Sequence, residues 1–432
     1  MRGMRFLAVL LFATSVFAQT PAKEVDQLID REMPSLLTTY KQLHAAPELS
    51  QQEKKTSEFV ASQLRALGFE VTYPFGQYSE PNATCYGVIA VMKNGSGPTV
   101  LVRSDMDALP VEEQTGAAYA SQNKGVMHAC GHDIHMTTLL GTAKVLSQLK
   151  NKWHGTVMLV GQPAEEVVKG ADAMLRAGMY DKFGKPDFAI ALHDNSNMPA
   201  GQIGWFPGWF MASADSVNVT IRGMGGHGAS PQSTKDPVVM AAEFVTELQT
   251  IVSRENSPLD PAVVTVGAIH GGTKRNVIPD EVQLLMTVRT YKPEVRKRVL
   301  ASIERIARAV ALAGGVPENR APIVEVLAGE SVDATWNDPA LSERLAKALT
   351  RDMGATNVVK MDPLMVSEDF GRFALDRKIP ATMLNVGAVD PARIASGERL
   401  PSLHSSGFLP LPEPTLRGGI KAMTLSVLEL AR

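Results

Sequence analysis

Apolar residues recur at helical spacing over residues 24–43 and again over 53–67, where Gly68 ends the pattern. The period then shortens. Residues 69–73, 87–91 and 100–102 read as strands, the last two separated by the turn Asn94-Gly95-Ser96-Gly97. A helix over 134–149 comes next, then buried strands over 156–160 and 188–192. Strands alternating with helices predict an α/β unit, a central mixed sheet flanked by helices. Near residue 211 the pattern changes. Residues 215–222 alternate like a half-exposed strand, 236–253 form a helix, and 263–269 and 281–291 are strands. A long helix over 293–313 stops at Gly314-Gly315, and 323–326 is a last strand. The order β-α-β-β-α-β is that of a split βαβ, ferredoxin-like α+β sandwich. Residues 211–333 are therefore expected as an inserted second domain, whose exposed sheet edges make it the expected dimerisation domain. Helical pattern resumes at 339–352, so the first domain is expected in two parts, 19–210 and 334–432.

A length of 432 residues agrees with two folded units. Lys and Arg number 43 against 45 Asp and Glu, with no basic block, which argues against a nucleic-acid partner. Arg2 and Arg5 precede an apolar run over 6–17 that ends at the small residue Ala18. This is the layout of a signal peptide over 1–18, and the run is shorter than the ~20 residues a spanning helix needs. The mature chain is expected to be exported, periplasmic or secreted, and free of the membrane. Cys85 and Cys130 are the only two cysteines. They could form one disulfide, but the histidines around Cys130 argue for a metal thiolate.

The motif His128-Ala129-Cys130-Gly131-His132-Asp133 combines ligand types suited to Zn²⁺ and similar ions just ahead of a helix. A buried cysteine beside a helix-capping histidine is the competing reading. Glu165-Glu166 comes just after a strand, where open α/β sheets place their sites. Charges there are more often solvated, but the apolar neighbours over 157–161 and 167–168 weigh against that. His193 also sits just past a strand, and His404 lies near the C-terminus. A lone histidine is usually structural, yet several candidates at strand ends and loops of one domain shift the balance. Asp105-Met106-Asp107 could orient ligand histidines through their second N–H, or cap the turn before Pro110.

Six segments together resemble a known family: 103–110, His128-Ala129-Cys130-Gly131-His132-Asp133, Gln162-Pro163-Ala164-Glu165-Glu166, Gly225-Gly226-His227-Gly228, Asn276-Val277-Ile278-Pro279 and Ser367-Glu368-Asp369-Phe370. The chain is similar to the twentieth metallopeptidase family, with its hippurate hydrolases, auxin–amino-acid conjugate hydrolases, aminoacylases and carboxypeptidases. The resemblance runs from about residue 25 to about 430. It implies two divalent metal ions (Zn, Mn, Co or Ni), with Cys130 bridging, His132 and His193 completing one site, and Glu166 and His404 the other. It implies Glu165 as the catalytic carboxylate; Asp107, from the aspartate pair that could orient the ligand histidines, is placed with the catalytic residues. It further implies that His227 stabilises the oxyanion, often from the partner of a homodimer, and that Asn276 and Arg289 bind the substrate carboxylate. Arg289 also reads as an ordinary solvent-facing strand residue.

The chemistry agrees: paired cations polarise an amide and activate water, and a free carboxylate shuttles the proton. The expected substrate is an N-acyl amino acid or small peptide. An exported dipeptidase or carboxypeptidase is the near alternative. A non-catalytic metal- or peptide-binding protein is disfavoured by the presence of Glu165. Asp194-Asn195-Ser196-Asn197 departs from the more apolar, Pro-containing stretch of the resembled family and bears on substrate preference. His135 also matches the family and is read as second to the ligands, or structural.

Overall fold

A computed structural model describes residues 21–432, so the leader expected over 1–18 lies outside the described residues. The larger unit is built on an eight-stranded mixed sheet. Its order is Glu70–Phe75, Gly87–Asn94, Gly155–Gln162, Thr99–Asp105, Phe188–Pro199, Ala381–Val389, Ile203–Trp205 and Val358–Lys360. The four strands from Gly155–Gln162 to Ala381–Val389 run parallel to one another. They are apolar almost throughout because both faces are covered.

Helices Pro21–Ala45, His132–Gln148 and Pro412–Leu430 pack together on one face. The first places Val25, Ile29, Met33, Leu36, Tyr40 and Leu43 in the core, three or four residues apart. On the other face, Leu101, Met158, Phe210, Phe370 and Phe373 form a second core. The result is a three-layer α/β/α arrangement whose parallel strands all finish at one edge. No helix among the described residues is long and apolar enough to cross a membrane.

A separate four-stranded antiparallel sheet has the order Ala262–His270, Glu281–Thr290, Ser213–Arg222 and Ile323–Val326. Its fully alternating strand Ser213–Arg222 turns Val217, Val219 and Ile221 toward helices Pro237–Thr250 and Pro293–Ala313. This is the expected ferredoxin-like order, with a core of its own. Asp215 and Asp333, at the two ends of this unit, both pair with Arg296.

Three features differ from the sequence reading. The strand expected to end at 192 continues to Pro199, carrying the polar run 194–197 into the sheet. Ala381–Val389, a central strand, is hidden in the sequence because Thr382, Asn385 and Gly387 interrupt its apolar pattern. The C-terminal helix Pro412–Leu430 is hidden because Pro414 and Gly418-Gly419 look like breakers. Its Pro412 sits in the first turn, where no amide donor is needed, and a Cβ at Gly418 would stand 2.4 Å from the Gly201 carbonyl oxygen.

At the end of the first helix, His44 is buried between Asp133, at 2.6 Å, and Glu113, at 3.1 Å. Burial opposes its charge, but the bond to Asp133 and the charges of Asp133 and Glu113 outweigh it and raise the pKa to about 9. A raised folded-state pKa stabilises fully below the unfolded value of 6.5 and is lost as pH climbs through about 9. We therefore expect wild type to exceed His44→Gln in stability by on the order of 3 kcal/mol at pH 6. The gap should close by pH 9.5 in urea titrations, and a pH-independent gap would exclude a charged His44.

Candidate metal centre and active site

The parallel strands bring their C-terminal ends, and the residues just beyond, to one place. Thr99–Asp105 presents Asp105 with Asp107 just after it, Gly155–Gln162 leads into Glu165 and Glu166, and Phe188–Pro199 carries His193. Helix His132–Gln148 begins at His132, with Cys130 in the turn before it. Gly131 has φ of +77°, and a Cβ there would lie 2.1 Å from Asp194 Oδ2, so this turn requires glycine. His404 comes from the loop before the last helix. Its backbone N–H donates to the Ala129 carbonyl at 2.8 Å, which docks that loop on the Cys130 turn. His404 and Ala164 hold positive φ, +63° and +52°, a strained geometry that such sites use.

Cys130 Sγ lies 3.6 Å from His193 Nε2 and 3.2 Å from His404 Nε2. Glu166 Oε1 lies 3.5 Å from His404 Nε2 and 3.8 Å from His132 Nε2. Cys130, His132 and His193 form one group, and Cys130, Glu166 and His404 another, with ligand atoms within 4.8 Å of each other in each. Cys130 is the shared corner. Its sulfur carries no disulfide, and Cys85 is free and buried elsewhere. Glu165 Oε2 stands 4.0 Å from His132 Nε2.

The supporting contacts are polar and buried. Asp107 accepts the backbone N–H groups of Glu165 and Glu166 at 3.1 and 3.0 Å and the Ser50 hydroxyl at 2.6 Å. Its Oδ1 is 3.5 Å from His132 Nδ1. His135 Nε2 accepts the Asp194 N–H at 2.8 Å, so its proton sits on Nδ1, 2.6 Å from Asp105 Oδ1. Arg103 donates to Asp105 at 2.6 Å, to Glu368 at 2.7 Å, to Asp369 at 3.2 Å and to Gln162 at 2.8 Å.

Burial and crowding shift Glu165, Glu166 and Cys130 upward. Burial, with Glu368 and Glu166 nearby, holds Glu165 well above the usual carboxylate range. Glu166 is lifted to about 7, mainly by burial against the opposing pull of His132. The Cys130 thiol is raised by burial and by Glu166 and Glu165. His132 reaches about 10, because Asp105 and Asp107 outweigh its burial.

A cavity of about 520 Å³ opens over Cys130, Glu165, Glu166, His193 and His404, and Arg289 forms part of its wall. Arg289 is held there by donation to the Met365 carbonyl at 3.0 Å. His227 and Asn276 are not among the lining residues. They sit side by side, both exposed, in loops of the smaller unit: Gly228 N–H bonds to the Asn276 carbonyl, and Val277 pairs with His227. Arg103, Gln162, Glu53 and Asn385 belong to the buried surroundings and carry no role in the sequence reading. Their signal is weak: Arg103, Gln162 and Asn385 look like interruptions of apolar strands, and Glu53 reads as an ordinary acid ahead of the helix Lys54–Ala66.

A model of peptidase family M20/M25/M40 matches residues 101–401. Among curated relatives, an N-acetyl-L-cysteine deacetylase of Bacillus subtilis is 38% identical over 70% of this chain and 74% of its own length. An N-acyl-L-amino acid amidohydrolase of Geobacillus stearothermophilus is 40% identical over 68% of this chain and 77% of its own. Among solved structures, the YxeP protein of Bacillus subtilis, a dinuclear metal-binding peptidase, aligns with a TM-score of 0.75. It is 28% identical, covering 93% of this chain and 99% of its own.

Replacing Arg103 by Met would leave Asp105, Glu368 and Asp369 without their buried cation. The expected loss is about 3–5 kcal/mol, read as a lower urea midpoint. An unchanged midpoint would show that the network carries no stability.

Proposed function

This chain belongs to peptidase family M20/M25/M40 and is a metal-dependent hydrolase of C–N bonds, and on that premise we propose that it cleaves the amide of an N-acyl amino acid. The observation that carries this reading is the pair of donor groups sharing Cys130, with Glu165 beside them in the same cavity. The donor set fits two divalent cations. It offers a thiolate, imidazoles and a carboxylate, and the buried nitrogens of His132 and Glu166 Oε1 have no hydrogen-bond partner. Cys130, His132 and His193 would hold one ion, and Cys130, Glu166 and His404 the other. When bound, such ions supply Lewis-acid polarisation of the amide carbonyl and of the attacking water.

The chain's own residues do the rest. Glu165 takes the water's proton and returns it to the leaving amine. Asp107 is a positioning residue: it grips the Glu165-Glu166 backbone and faces His132. Arg289, in the cavity wall, pairs with the substrate carboxylate through its planar fork. We read residues 211–333 as the lid, inserted between catalytic parts 19–210 and 334–432. In this reading the lid sheet pairs across a two-fold axis, and His227 and Asn276 serve the partner's site. Their exposure and their absence from the cavity lining in their own chain fit that arrangement. Export behind the leader over 1–18 completes the proposal.

Glu165→Gln should keep its bound metal, measured by elemental analysis, and lose about 10²–10⁴-fold in kcat on an N-acetyl amino acid. Turnover near wild type would remove Glu165 from proton transfer. Mixing His227→Ala and Glu165→Gln subunits, each inactive alone, should restore part of the activity. Proven mixed dimers without recovery would exclude action across the dimer.

A further inference from the structure

The cavity lining includes the side-chain amides and hydroxyls of Asn195, Ser196, Asn197, Asn385 and Ser402. It also includes the apolar side chains of Met211, Leu364 and Val366. Asn385 lies on the strand Ala381–Val389, in parallel register with His193. Register partners present their side chains on the same face, about 4.8 Å apart. Leu192 and Leu384 turn to the opposite face, into the core under the three packed helices. Asn385 therefore stands directly beside a member of the metal-ligand group.

The amide orientations are fixed by the chain. Asn195 Oδ1 accepts the Asn197 N–H at 2.9 Å, which commits Asn195 Nδ2 to the other side. That nitrogen donates to Asn385 Oδ1 at 3.0 Å. Asn385 Nδ2 is left with its N–H groups unused, although the residue is only 1% exposed. A buried donor without an acceptor is costly, and a polar pocket built this way discriminates strongly for a ligand that supplies one.

We propose that Asn385 is a specificity-determining residue that donates to an oxygen acceptor on the substrate, away from the scissile amide. The inference rests on the amidohydrolase reading and narrows its substrate class. The preferred substrate carries a hydroxyl, carbonyl or carboxylate oxygen on its acyl chain or on its amino-acid side chain, where a hydrocarbon would leave the donor unpaired.

Two shape-matched substrate pairs separate the two sources. N-acetyl-asparagine against N-acetyl-leucine varies the side chain, and N-(3-hydroxybutanoyl)-alanine against N-(3-methylbutanoyl)-alanine varies the acyl chain. With metal-loaded enzyme, the oxygen-bearing member of one pair should show kcat/KM about tenfold higher or more. Asn385→Leu should bring that ratio to one or below. Asn385→Asp, which keeps the size and replaces donor by acceptor, should lower it too. The wild-type ratio stands as a test should either variant fail to fold. A ratio near one in both pairs, or a ratio untouched in a folded variant, overturns the assignment. Absence of hydrolysis in all four compounds contradicts the amidohydrolase reading itself and takes this inference with it.

Discussion

Asp105, Asp107, Glu165, Asp194, Glu368 and Asp369 are all buried at one edge of the larger sheet, while Arg103 is the only Arg or Lys buried among the described residues. Charges in such surroundings survive only when paired or coordinated. The arrangement divides the acids by partner. Asp105, beside His132 and held between His135 and Arg103, stays well below the ordinary range despite its burial. Glu165 and Glu166, and the Cys130 thiol with them, face one another across the cavity and are pushed upward. Divalent cations held by these groups would reverse that push, since a bound cation favours the ionised form of each ligand. Metal binding and the charge balance of the fold are thus one problem with one solution.

The three-layer unit sets that problem up by geometry. Parallel strands finish at a common edge, and there they deliver a pair of aspartates, a pair of glutamates and a histidine. The loop holding His404 is tied to the Cys130 turn by a backbone hydrogen bond, so donors far apart in sequence share one volume. The smaller unit contributes Arg289 to the cavity wall and keeps His227 and Asn276 in exposed loops. Its ends are fastened to its own helix by Asp215 and Asp333 on Arg296, and Asp333 also binds Arg372 of the larger unit, 2.7 Å away.

Much of this is legible in the sequence, for definite reasons. The helices and strands with clean periods stand out, and the β-α-β-β-α-β order of the smaller unit can be read directly from alternation and turns. Cys130, His132, Glu166, His193 and His404 stand out because of their places at strand ends, in loops and ahead of a helix, and because their motifs occur together. What escapes is polar matter inside apolar elements. Asn385 and Thr382 hide a central strand, and paired glycines hide a fully packed helix whose close contacts need them. The Arg103 network escapes for another reason. Its acidic partners Glu368 and Asp369 lie more than 260 residues away, and no local period records such a contact.

Anomalous diffraction from crystals of the metal-loaded protein, collected at the edge of the bound element, tests the central claim most directly. The account predicts two peaks flanking Cys130 Sγ, one among His132 and His193 and the other among Glu166 and His404. A single peak, or peaks that leave Cys130 uncoordinated, would contradict it.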